Sequence, residues 1–187
     1  MVELLNKKIT VPEFREMDFP ENDTFIYELI EGILMKKQAP SPLHQNVVVS
    51  ISHAFKSLTL AKNNGFSYVS PIDVYFDKYS NTQPDVLFIV KDREFIIDPF
   101  QGIVGAPDLI VEVLSPSTAK LDKVDKKALY LKLGVKEYWI VDPIYKEVLV
   151  YVLSENQYEL KQELIEEGKI ESVVLPDLDL NITLIFA

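Results

Sequence analysis

The chain has 187 residues, of which 48% are hydrophobic and 26% charged, a composition typical of one folded domain spanning residues 1–187. It contains no cysteine, which excludes disulfides, thiolate catalysis and zinc-thiolate sites and favours a reducing, cytoplasmic location. The net charge of −10, with arginine only at Arg15 and Arg93, disfavours tight nucleic-acid binding, and without a signal-like or membrane-length apolar run we expect neither secretion nor membrane insertion.

The first half of the chain predicts a short helix, a hairpin and a long helix. Thr10 followed by proline and glutamate is typical of a capped helix start, and we expect this helix to end near Met17. Two apolar runs within residues 25–35 surround a glycine that permits a tight turn, which predicts a β-hairpin. After Ser41-Pro42, apolar residues at helical spacing continue until the Asn-Asn-Gly at 63–65 and predict the second helix.

The second half predicts a strand-rich α/β arrangement. Valine, isoleucine and aromatic residues separated by turn residues predict strands, and a charged segment from Lys120 to Leu133, closed by Gly134, predicts a helix. The predicted strands are 66–76, 85–90, 109–114, 138–141, 148–152, 158–164, 172–175 and 182–186. We therefore expect an α/β (α+β) fold with a mixed central sheet flanked by helices and with hairpins at both ends.

Two acids in apolar strands are candidates for chemistry. Asp85 begins the run DVLFIV, and Glu112 lies inside LIVEVL, where an unpaired carboxylate would be costly to bury. Alternation places Glu112 on the strand face of Asp108 and Leu114. If the two strands are neighbours, Asp85 and Glu112 can converge on one hard cation such as Mg²⁺ or Mn²⁺.

The helix after Ser-Pro-Ser-Thr places a lysine on an apolar face. At 100° per residue, Lys126 shares its side of the helix with Asp122 and Tyr130. A half-buried lysine next to carboxylates would stay charged and could orient a water molecule. Two alternatives remain open at this point: a structural ion pair between Glu112 and Lys126, and an exposed salt bridge between Lys126 and Asp122.

The order of motifs resembles the Uma2 (DUF820) family of PD-(D/E)XK, restriction endonuclease-like proteins. The resemblance covers about residues 10 to 152, and its most specific part runs from EVLSPST to EYWIVDP. The matching segments are YELIEG at 27–32, Pro42 and His44, PDV at 84–86, PDLIVEVLSPST at 107–118, Asp122, Lys126 and Tyr130, and GVKEYWIVDP at 134–143.

The resemblance implies roles for individual residues. Asp85 and Glu112 would hold Mg²⁺ or Mn²⁺, with the carbonyl of Val113 as a further ligand, and Lys126 would orient the attacking water. This chain departs from the superfamily pattern at Leu114, where a lysine often stands, so Lys126 would supply the ammonium from the helix. The resemblance also brings Glu28 and His44 to the cleft, with Glu28 as a further metal ligand.

The family resemblance implies a metal-dependent nuclease that cleaves DNA and forms a homodimer. The acidic composition favours an alternative, a catalytically silent binding or assembly module on the same fold. A hydrolase of small or structured nucleic acids is a second alternative. The segment from Phe95 to Phe100 is interpreted as a loop or a dimer contact.

Other polar and aromatic residues have structural interpretations. We expect turn roles for Asp108 and Asp142, since each flanks a strand beside proline. Glu31 is expected to lie on the hairpin without a role in the site, and His53 is expected to have a structural role. The pair Tyr138-Trp139 is expected in the core.

Overall fold

A computed structural model describes residues 8–20 and 22–187. Its first element, α1, spans Val11–Arg15 and is two residues shorter than the sequence predicted. Thr10 accepts the backbone N–H of Glu13, and the Glu13 carboxylate accepts the backbone N–H of Thr10. This reciprocal capping box satisfies backbone donors that the helix itself leaves unpaired.

The predicted hairpin and long helix are confirmed. Strands β1 (Phe25–Ile30) and β2 (Ile33–Gln38) pair antiparallel across Glu31-Gly32, whose φ angles of 50° and 85° are those a two-residue hairpin turn requires. Helix α2 (Pro42–Lys62) is capped by the Ser41 side chain and ends at Asn63 in the left-handed region. Its apolar stripe is buried, as the 3.6-residue period predicted.

A six-stranded mixed sheet, here the core sheet, forms the centre of the fold. Its order is β12-β11-β10-β9-β6-β3, with β9 and β10 parallel and the other neighbours antiparallel. The fold-class prediction is therefore confirmed. The strands are β3 (Gly65–Val69), β6 (Val86–Val90), β9 (Leu109–Val113), β10 (Glu137–Asp142), β11 (Glu147–Ser154) and β12 (Gln157–Ile165).

A second sheet was not anticipated. The predicted strand 66–76 is wrong as one element, because its halves are β3 of the core sheet and β4 (Val74–Asp77) of the second sheet. The chain changes sheets at Ser70-Pro71, where proline cannot donate a ladder hydrogen bond. The second sheet has the order β2-β1-β5-β4-β8-β7, with β5 (Ser80–Thr82), β7 (Ile97–Asp98) and β8 (Gly102–Val104).

The predicted helix after β9 is confirmed, but its first part has the wider geometry of a π-helix. A π-helix spans Leu121–Lys126 and continues as α3, Lys127–Lys132. Gly134 then adopts a φ of 79°, the left-handed value expected of a helix-ending glycine. Asp122, Lys126 and Tyr130 face inward, as the helical pattern predicted.

The two last predicted strands are wrong. Residues 172–175 form no strand, and the final segment contains a 3₁₀ helix at Ile182–Leu184. The side chains of Leu175, Ile182 and Ile185 pack on the core sheet, and the backbone N–H groups of Val173 and Val174 donate to Glu137 Oε2 at 2.8 Å. A side-chain carboxylate therefore satisfies backbone groups that a strand would have paired within a sheet.

The core sheet has a buried layer on each face. One face packs against α2 and the C-terminal segment, and the other packs against α3 and the second sheet. Ile110 and Leu114 belong to the second face, which is therefore also the face of Glu112. Within the described ranges, no helix combines the length and apolarity needed to cross a membrane.

Candidate active site

Two adjacent strands bring Asp85 and Glu112 to one cavity. Asp85 directly precedes β6, which pairs antiparallel with β9, so that Val86 lies opposite Val111. Both acids line a cavity of about 650 Å³, here called the acidic cavity. The wall also contains Lys37, His44 and the Ser-Pro-Ser-Thr turn at 115–118.

Asp85 is anchored through one of its two oxygens. Asp85 Oδ2 accepts the backbone N–H of Val113 at 2.8 Å and lies 3.2 Å from Nε2 of His44. Burial works to raise the pKa of Asp85, but the contact with His44 and the charge of Lys37 outweigh it and lower that pKa. Asp85 is therefore ionised at neutral pH.

The pKa of Glu112 is shifted in the opposite direction, upward. Its Oε1 accepts from Lys126 at 2.9 Å and from Tyr130 at 2.7 Å. Burial, joined by the charges of Asp122 and Asp85, raises the pKa of Glu112 to about 8 against the attraction of Lys126. A carboxyl pKa raised in this way is frequent at functional sites.

Lys126 is the cation at the centre of the cluster. Its side chain is fully buried, with Nζ 3.1 and 3.2 Å from the two oxygens of Glu28 and 3.5 Å from Asp122. Although burial disfavours the charge, Glu112, Glu28 and Asp122 raise the pKa of Lys126 well above its ordinary value. The ammonium is held behind Glu112 and does not line the cavity.

The structure therefore separates the predicted site residues into two groups. Asp85, Glu112 and His44 line the cavity, whereas Glu28 and Lys126 lie behind it. Val113 meets Asp85 through its N–H group and is not part of the cavity wall.

Sequence reasoning missed Lys37. Its ammonium lies 3.3 Å from Glu28 Oε1 and donates to the carbonyl of Gln83 at 3.2 Å, which places a cation in the cavity wall. Strand β2 extends to Gln38, beyond the predicted end at Met35. Alternation from Met35 places Lys37 on the same, inward face, and this signal could have identified it.

The residues at the cavity fit a hard divalent cation. The contacts of Asp85 use Oδ2 and those of Glu112 use Oε1, so Asp85 Oδ1 and Glu112 Oε2 are the oxygens available to a cation. Among the described residues, no group of three or more His, Asp or Glu side chains could hold a metal. Two carboxylates suit Mg²⁺, which keeps several waters and often shares a substrate phosphate.

The remaining polar predictions have mixed outcomes. Asp142 accepts two backbone N–H groups in its turn, and Tyr138 and Trp139 are buried, as predicted. Asp108 does more than form a turn, because it is buried with Arg93 and Lys136 at 3.1 and 2.8 Å. The expected structural role of His53 is not supported by packing, since its side chain is exposed.

The fold is that of the restriction-endonuclease-like class. A crystal structure from Anabaena variabilis, described as a "putative nuclease belonging to DUF820", has the same fold with a TM-score of 0.75. It covers 95% of this chain and 97% of its own, at 21% sequence identity.

Sequence comparisons identify the family to which the chain belongs. The profile of Uma2, described as "Putative restriction endonuclease", matches residues 11–183, and the chain belongs to the Uma2 family. An uncharacterized protein of Synechocystis, sll1609, is 28% identical over 174 residues, which are 91% of this chain and 96% of that protein.

Proposed function

We propose that this protein is a nuclease that hydrolyses phosphodiester bonds in DNA with the help of Mg²⁺ or Mn²⁺. The observation that carries the proposal is the convergence of Asp85 and Glu112, from adjacent strands, on one cavity. Membership of the Uma2 family supports the same chemistry.

In this proposal, Asp85 and Glu112 hold the cation through Asp85 Oδ1 and Glu112 Oε2. When bound, a divalent cation lowers the pKa of a coordinated water and neutralises charge that develops on the phosphate. His44 and Val113 fix the position of Asp85. Lys126 and Tyr130 fix Glu112, so Lys126 is a positioning residue rather than a group that meets the substrate.

Glu28 and Lys37 also contribute to the arrangement of the cavity. Glu28 Oε1 accepts the backbone N–H of Gln83 at 2.7 Å, two residues before Asp85. Lys37 pairs with Glu28 and faces the cavity, where its charge would attract a phosphate oxygen. We therefore assign Lys37 to substrate phosphate binding and Glu28 to holding the segment that carries Asp85.

The second candidate is a catalytically silent binding or assembly module. It is favoured by the complete burial of Lys126 among three carboxylates, an arrangement that a structural ion cluster would also have. The net charge of −10 points in the same direction, because it opposes approach of the DNA backbone.

Calorimetric titration of Mg²⁺ and Mn²⁺, run beside a plasmid-nicking assay, separates the two candidates. For the nuclease we expect metal binding and nicking in wild type and loss of both in Asp85→Asn and Glu112→Gln. Asp125→Asn is the matched control, since Asp125 is an exposed acid on the helix after β9 and does not line the acidic cavity.

If wild type binds no metal and nicks no DNA, while Glu112→Gln is as stable as wild type or more so, the silent module replaces the nuclease. If both Asp85→Asn and Glu112→Gln still nick DNA, residues other than Asp85 and Glu112 carry out the reaction.

The assembly of the chain is also a proposal. We propose one domain, from the length of the chain, that forms a homodimer, from the family resemblance, in the cytoplasm, from the absence of cysteine. A single cooperative unfolding transition and a dimer mass in light scattering are the expected results, whereas two transitions or a monomer mass would contradict them.

A further inference from the structure

A second groove adjoins the acidic cavity. The two share Ile26 and Gln83 in their walls, and the second has a volume of about 650 Å³. We call it the aromatic groove, because its wall contains Phe14, Phe19, Tyr27, Tyr75 and Phe100, together with Arg15. None of these six residues has a part in the acid cluster.

Two ring contacts lie in the wall of the groove. The rings of Phe19 and Tyr27 stack with centroids 3.9 Å apart. The guanidinium carbon of Arg15 lies 5.3 Å from the centroid of the Tyr75 ring. Arg15 is one of only two arginines in the chain, and it also donates to Gln101 Oε1 at 3.2 Å.

Phe100 is exposed yet held in a fixed turn. Its side chain is 95% exposed, although an apolar ring of this size is normally buried. Asp98 Oδ1 accepts the backbone N–H groups of Phe100 and Gln101 at 2.9 and 3.0 Å. Gly102, with a φ of 125°, packs so closely that a Cβ there would lie 2.5 Å from the carbonyl of Asp73. The turn thus presents a bare aromatic face beside the groove.

From this arrangement we infer that the protein binds unpaired nucleotides, with bases stacked in the aromatic groove and the adjoining phosphodiester in the acidic cavity. The inference rests on the proposed nuclease function and names its substrate class, single-stranded nucleic acid. Stacking on aromatic rings needs exposed base faces, which a continuous duplex does not offer.

The charge of the protein agrees with this class of substrate. The chain has 19 basic residues against 29 acidic ones, and among the described residues that line the two cavities the lysines and arginines are Arg15 in the groove and Lys37 in the cavity wall. Stacking does not depend on positive charge, so it supplies the binding free energy that phosphate contacts cannot.

The test is fluorescence anisotropy with a labelled 12-nucleotide single strand and its blunt duplex, in Ca²⁺ and with strand integrity checked on a gel. We expect the single strand to bind at least about tenfold more tightly than the duplex. Phe100→Ala should weaken single-strand binding about 5- to 150-fold, the range for one stacked base. With two cations available, log K should fall with log salt no more steeply than about −1.4.

Phe95→Ala is the matched control, because Phe95 is 80% exposed on the preceding 3₁₀ helix and lies outside the groove. It should bind like wild type. Equal effects of the two substitutions, or duplex binding as tight as single-strand binding, would overturn the inference. A dimer that dissociates in Phe100→Ala while nucleotide binding is unchanged would also overturn it and make Phe100 a contact between copies.

The failure of this inference and that of the proposed function look different. If Phe100→Ala cleaves duplex DNA with metal as wild type does, the nuclease function stands and the binding role of the aromatic groove is rejected. If single-strand binding requires Phe100 but no metal supports cleavage, the binding role of the groove stands and the nuclease function is rejected.

Discussion

The ammonium of Lys126 lies 2.9 Å from Glu112 Oε1 and 3.1 Å from Glu28 Oε2, so one buried cation joins the helix after β9 to a strand of each sheet. Glu112 is on β9 of the core sheet, and Glu28 is on β1 of the second sheet. The cavity lies where the two sheets meet, and this cation helps to hold them there.

Lys126→Met should destabilise the fold. It leaves Glu112 and Asp122 buried without a cation and leaves Glu28 with Lys37 alone, and breaking a buried pair in this way costs about 3–5 kcal/mol. Lys123→Met, at an exposed position of the same helix, should change the free energy of unfolding by less than about 0.5 kcal/mol. Urea denaturation measures both, and a loss below about 1 kcal/mol in Lys126→Met would show that the cluster does not depend on its cation.

Tyr130→Phe should destabilise the protein by about 1–3 kcal/mol, the usual cost of an unsatisfied buried partner. The substitution removes the hydroxyl that donates to Glu112 Oε1 at 2.7 Å and lies 3.1 Å from Thr82 Oγ1, but it keeps the ring packed against Tyr138. Tyr145→Phe, at an exposed tyrosine, is the control for loss of a hydroxyl. Thermal denaturation of the two variants gives the comparison, and equal stabilities would contradict the prediction.

Metal affinity should rise with pH between about 6 and 8. The pKa of Glu112 is about 8, so below that pH a cation must displace a proton to use this carboxylate. Calorimetry at pH 6, 7 and 8.5, in buffers of different ionisation enthalpy, should detect release of up to about one proton at the lowest pH. An affinity that does not change with pH would mean that Glu112 binds no metal.

Asp108 should stabilise the fold above its ordinary titration range. Burial opposes ionisation of Asp108, yet Lys136, the N–H group of Val90 and Arg93 lower its pKa below 3.8. The folded state therefore binds this proton less readily than the unfolded state. Its contribution is present above about pH 3.8 and is lost as pH falls through the lower folded pKa. Asp108→Asn lacks the contribution at every pH, so the unfolding free energies of wild type and variant should converge on acidification, and parallel curves from pH 6 to 2 would refute this.

Sequence reasoning reached the parts of the site that depend on local periodicity. The period of 2 along β9 placed Glu112 on a known strand face, and helical spacing placed Lys126 inward with Asp122 and Tyr130. Both follow from the geometry of a single element, which neighbouring residues determine. The prediction that Asp85 and Glu112 converge on one site required their two strands to be neighbours. Strands β6 and β9 pair antiparallel, so this requirement is met, and both acids line one cavity.

The sequence by itself determined the helices, the central strands and the two cavity acids, because each has a local pattern or belongs to a family motif. Only the tertiary structure decided the division of residues 66–76 between two sheets, the approach of Lys37 to Glu28, and the coiled C-terminal segment held by Glu137. The physical reason is that these features rest on contacts between residues far apart in the chain. Period-2 patterns identify a strand without naming its partner, and an apolar segment can bury its side chains without joining a sheet.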